Sequence, residues 1–94
     1  MKNRITRTAD IIWRRIGDEI AVILIKADGN SLHILNKTAA HIWEMCSGNY
    51  EPDEIATSLC KRFDVTLEET KADVLDTLRK LVGMNLLKWD GGVE

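Results

Sequence analysis

The run Ile20-Ala21-Val22-Ile23-Leu24-Ile25 is the longest apolar stretch in the chain. Its length suits a strand and falls far short of a membrane span. It is apolar at both parities, which suits the centre of a sheet better than its edge. Turn chemistry brackets it, with Gly17-Asp18 before and Asp28-Gly29 after, residues that tolerate positive φ. A three-stranded antiparallel meander is therefore predicted. Asp10 to Ile16 alternates, with Ile12 and Ile16 on one face and Ile11 and Trp13 on the other. Glu19 to Lys26 is the central strand, and Ser31 to Leu35 returns as the third. In the order one-two-three, the third strand keeps one side unpaired.

The remainder predicts three helices. Asn36 is placed to cap the first, whose stripe is Ala39, Ile42, Trp43 and Cys46, and Gly48-Asn49 stops it. Pro52 opens the second, with Asp53 and Glu54 in the first turn where they complement the helix dipole. Its inward face is Ile55, Ala56, Leu59, Cys60 and Phe63. Thr66-Leu67-Glu68-Glu69 fits a capping box for the third. Leu67, Val74, Leu78 and Leu81 form its core stripe, Leu75 and Val82 widen it to one side, and Lys71 and Arg79 border it there. Asn85 is suited to end that helix in a left-handed conformation. Leu86, Leu87 and Trp89 either add a short final strand or pack down, and Gly91 to Glu94 reads as a tail. The fold class is α+β: a three-stranded antiparallel β-meander followed by a three-helix bundle, winged-helix-like. One domain over residues 1–94, with its core at about residues 10–89, accounts for the pattern.

Composition narrows the function. The formal net charge is −2, without the basic excess of a phosphate-binding surface. The third helix offers Glu68, Glu69, Asp73 and Asp76 against Lys71, Arg79 and Lys80, a poor face for nucleic acid. Arg4, Arg7, Arg14 and Arg15 gather in the N-terminal segment, and neutralising Arg14 and Arg15 would test a DNA role. His33, His41, Cys46 and Cys60 lack metal-ligand spacing. No metal and no cofactor is expected. Ser31, Ser47 and Ser58 lack a nearby His–acid signature, so no catalytic residue is assigned and the chain reads as a non-enzyme. There is no apolar membrane span or signal-peptide stretch, and both Cys fall in apolar helical patterns. A cytoplasmic protein with buried thiols is the expectation.

Leu35-Asn36-Lys37-Thr38-Ala39-Ala40-His41-Ile42-Trp43-Glu44 resembles the "LN-x-T/S-A-A-x-I-W-E" signature of the PqqD family. The resemblance continues through Gly48, Glu54-Ile55, Phe63-Asp64-Val65, Asp73-Val74, Leu78, Leu81 and Leu86-Leu87, roughly residues 10–89. The implied role is that of a peptide chaperone, or RiPP recognition element. Such proteins bind the leader segment of a ribosomally made precursor peptide and present it to a modifying enzyme, often a radical S-adenosylmethionine enzyme. Members serve pyrroloquinoline quinone biosynthesis and other peptide natural-product pathways. In the family the leader adds as a strand beside strand three and packs against the third helix.

An edge strand gives that mode a physical basis, because its free N–H and C=O groups can pair with an extended peptide. The expected pairing strand is Ser31, Leu32, His33, Ile34 and Leu35. Leu75, Leu78 and Val82 would floor the groove, and Lys71 and Arg79 would stand at its wall for acidic leader side chains. Two other readings compete. One is a winged-helix DNA-binding regulator. The other is a homodimer of a structural subunit, in which self-association covers the second apolar face of the central strand.

Overall fold

A computed structural model describes residues 4–46 and 50–90. Its elements in chain order are β1 (Arg4–Arg7), β2 (Ile11–Ile16), β3 (Glu19–Leu24), β4 (Ser31–Leu35), α1 (Lys37–Met45), α2 (Pro52–Phe63), α3 (Leu67–Gly83) and β5 (Leu87–Asp90). The expected helix stop at Gly48-Asn49, Ser47 and the tail from Gly91 to Glu94 lie outside the described residues.

The meander forms as expected, in the order β2-β3-β4. Ile16 pairs with Glu19 across a two-residue turn, and Gly17 takes the positive φ of 61° that this turn demands. The central strand stops at Leu24 rather than Lys26. A loop follows, drawn together by Lys26, whose carbonyl accepts from the Gly29 N–H at 3.3 Å and whose N–H donates to Asn30 Oδ1 at 3.3 Å. Ile20, Val22, Leu24 and Leu35 point to one side and are buried. The helices cover this face of β3 and leave the other apolar face without cover. On the other face Ile12 is 58%, Ile16 59%, Leu32 62% and Ile34 57% exposed.

Each helix begins for a local reason. The Asn36 side chain accepts from the Ala39 N–H at 2.9 Å, as its cap position requires. In α2 Pro52 opens the helix, and Glu51 forms a reciprocal capping box with Glu54, whose Oε1 accepts from the Glu51 N–H at 2.8 Å. The expected capping box of α3 is absent. Thr66 sits at the cap position without a side-chain cap bond, and its carbonyl instead accepts the Thr70 hydroxyl. Leu67, assigned to the core stripe, is 43% exposed because it lies at the helix end. Asn85 takes φ 67° and ends α3 as expected.

The N-terminal segment adds a strand that the sequence reading did not assign. β1 pairs antiparallel with β5 from Arg4↔Asp90 to Arg7↔Leu87. The ribbon buries Ile5 and Leu87, with Leu86 alongside, so the last strand forms and has a partner. Among the described residues the buried hydrophobic side chains join one cluster that includes Trp43, which is 0% exposed. Trp43→Ala should therefore cost about 3–5 kcal/mol, read from urea unfolding midpoints. Such a loss is a large share of what a domain this size has.

Cys46 lies in the same core, and burial pushes its thiol up to about 12, with Arg7 opposing that rise. At pH 8 a thiol-specific disulfide reagent should label Cys60, which is half-buried, and leave Cys46 until the chain unfolds. The same shift makes stability fall as pH climbs above 9.0, the thiol's ordinary value, because the unfolded chain then ionises and the folded chain does not.

Candidate functional site

The edge of β4 can be resolved to individual backbone groups. The Ile25 N–H donates to the Asp10 carbonyl at 2.9 Å, just beyond the Ile11↔Leu24 pair. Odd-numbered residues of β3 therefore aim their N–H and C=O groups at β2, and even-numbered ones aim theirs at β4. On β4 the register Leu24↔Ser31, Val22↔His33 and Ile20↔Leu35 engages those three residues with β3. The N–H and C=O groups of Leu32 and Ile34 are left pointing out of the open edge. These two residues also turn their side chains away from the helices, whereas Leu35 points inward and is 4% exposed. Ser31 and His33 lie half-buried on the inner side, with His33 Nε2 3.3 Å from Ser31 Oγ.

β4 packs on β3 and α1, while α3 packs on α2, β5 and α1. α1 thus touches both. The α3 residues expected in the groove share one flank of that helix. Leu78 belongs to the core at 0% exposed, while Leu75 and Val82 are half-buried. Arg79 is exposed. Lys71 Nζ lies 3.9 Å from Asp53 Oδ1 on α2, a loose surface pair that commits little of its charge.

The opposite flank of α3 lines a cleft of about 110 Å³ that the sequence reading missed. Its wall is Leu59, Phe63 and Val65, with Thr38 and Thr70, and its rim carries Glu69 and Asp73. Thr38 follows the end of β4 by three residues, so the cleft opens near where the edge strand runs into α1. The sequence pattern places Glu69 in a capping box and Asp73 on an acidic helix face, and only the packing of three helices reveals the concavity.

The remaining polar groups serve the fold. His41 Nε2 lies 2.9 Å from Ser58 Oγ, a pairing across α1 and α2 that no local spacing announces. His41 also meets Phe63 edge-on at 5.8 Å, and burial, with Arg62 nearby, lowers its pKa from the ordinary value. Neither His41 nor Ser58 lines the cleft. Among the described residues no three His, Cys, Asp or Glu side chains converge as metal ligands, and no helix is long and apolar enough to cross a membrane. Among the described side chains, two of the N-terminal arginines are engaged within the fold. Arg7 is turned inward over Trp13 and Trp43, and Arg15 pairs with Glu44 at 2.7 Å.

No curated protein matches the chain. Among solved structures, TbiB1 in complex with the TbiA(beta) leader peptide aligns with a TM-score of 0.80 at 21% identity, covering 95% of this chain and 99% of that one. At that identity the likeness speaks for the fold. A model of the family of coenzyme PQQ synthesis protein D (PqqD) matches residues 21–87. Those residues run from β3 to the first residue of β5 and hold the open edge, and the chain belongs to the PqqD family.

Proposed function

We propose that this protein binds the leader segment of a ribosomally made precursor peptide as an added strand on β4 and presents it to a peptide-modifying enzyme. The observation that carries this reading is the open edge itself, where two N–H and two C=O groups at Leu32 and Ile34 have no backbone partner among the described residues. An edge with free groups is a template for another chain unless it is blunted. Here β4 carries no proline and no charged side chain. Main-chain pairing supplies affinity, and the space toward α3 supplies side-chain selection. Membership of the PqqD family and the leader peptide held by the similar TbiB1 structure support the same role.

In this reading the pairing strand is Ser31 to Leu35. Leu75 and Val82, with Lys71 and Arg79, form the α3 side of the groove, and Leu78 backs them from the core. The enzyme that receives the peptide is of the radical S-adenosylmethionine kind or another modifying class, and the protein acts in the cytoplasm, where precursor peptides are made. It contributes binding and no chemistry of its own.

Proline substitutions separate binding from folding. Leu32→Pro removes an N–H that the sheet does not use, and proline is tolerated on edges at such positions. It should leave thermal unfolding nearly unchanged while weakening binding of the leader peptide at least tenfold, by calorimetric titration with the precursor encoded beside the gene. His33→Pro removes a bond to β3 and should destabilise the fold itself. Equal peptide affinity in Leu32→Pro and the unsubstituted protein would refute strand addition.

A further inference from the structure

The outer face of the three-stranded sheet is built in rows. Ile12, Ile23 and Leu32 stand across from one another, and Arg14, Ala21 and Ile34 form the next row. Ile16 and Glu19 form the third. Ile12, Ile16, Leu32 and Ile34 are each more than half exposed, a contiguous aliphatic patch rather than scattered surface residues. Strand alternation would permit polar residues at every one of these positions.

Two charges interrupt the patch, and they are of opposite sign. Arg14 and Glu19 lie on adjacent strands, offset by two residues, and both are exposed. Neither enters an ion pair among the described residues. A two-fold axis passing between them brings Arg14 of one copy over Glu19 of another, and the reverse pair follows by symmetry. The face is then complementary to itself in both charge and hydrophobicity. A lipid surface would instead call for a cationic rim, which a single Arg beside a Glu does not make.

We propose that this face docks on the same face of a second copy of the chain, with Arg14 of each copy paired to Glu19 of the other. The contact is face to face, so it leaves the β4 edge open in both copies. It stands independently of leader binding. Three strands of about six residues span roughly 14 by 20 Å, well under the ~800 Å² per partner of a standard interface. Association is accordingly weak.

Sedimentation equilibrium of the full chain from roughly 1 µM to 1 mM tests this directly. A monomer–dimer equilibrium is expected. Arg14→Glu or Glu19→Arg alone should weaken it about tenfold or more, because either change sets like charges across the axis twice. An equimolar mixture of the two variants should recover the dimer, since unlike copies restore both pairs. Ile16→Lys should weaken association as well, and circular dichroism checks that each monomer remains folded. A chain that stays monomeric up to 1 mM overturns the proposal. So does a dimer indifferent to these changes, or a mixture no stronger than its components. Co-sedimentation of the monomer with anionic phospholipid vesicles would overturn it too, by assigning the face to a membrane.

Discussion

Trp43 is the point through which the separate parts of this small domain hold one another. From the last turn of α1 its ring meets Trp13 of β2 edge-on at 6.2 Å. The Arg7 guanidinium of β1 lies 4.7 Å from the Trp13 ring and 5.0 Å from the Trp43 ring. The same guanidinium donates to the Trp43 carbonyl at 2.8 Å and reaches the Glu44 carbonyl at 3.4 Å. The Trp43 carbonyl also accepts from the Cys46 N–H at 3.1 Å, and a cation at a helix C-terminus is favoured by the dipole. One arginine thus ties the ribbon, the sheet and the first helix together. The knot leaves polar atoms unmatched, since Arg7 Nε and Trp43 Nε1 are buried without partners among the described residues. Each such group costs about 1–3 kcal/mol. The aromatic area buried and the cation–π contacts must outweigh that cost.

The helices are gathered on one side of the sheet by this arrangement, and the open surfaces follow from it. A three-stranded meander with one covered face has two free edges and one free face. β2 blunts its own edge with Arg14 and Arg15, the latter held by Glu44. β4 has no such charge. Backbone direction and side-chain direction then coincide at Leu32 and Ile34. Both present free hydrogen-bonding groups in the sheet plane and aliphatic side chains above it.

Much of this was legible in the residues, wherever a local rule decides the outcome. Gly17, Pro52 and Asn85 each demand a particular backbone geometry, and each adopts it. Asn36 caps α1 as its side chain allows. The misses share a cause, which is that the deciding partner lies elsewhere in the chain. Arg4-Ile5-Thr6-Arg7 contains one apolar residue, too few to show a period of two, and its partner strand is at the other end of the sequence. Glu51 falls outside the usual cap residues, whereas Thr66 fits the pattern without making the bond. The edge strand could be found from turn signals and apolar pattern. Which of its backbone groups are free depends on the register of two successive hairpins, and a loop of six residues after Leu24 does not announce its register. The cleft beside Thr38 depends on how three helices meet, which periodicity on any one of them cannot express.

The parity of β4 also restricts what a paired strand can offer. Residues of the added strand opposite Leu32 and Ile34 send their side chains to the outer face. Those opposite Ser31, His33 and Leu35 point inward, toward α1 and the space before α3, because side chains in paired strands alternate together. The outward set meets only solvent or the aliphatic patch and discriminates little. The inward set must fit between the half-buried Ser31 and His33 and the helical wall, where an unsuitable side chain would clash or lose its water unpaid by new contacts. A peptide added at this edge would therefore be read from every second residue, with the residues between them free to vary.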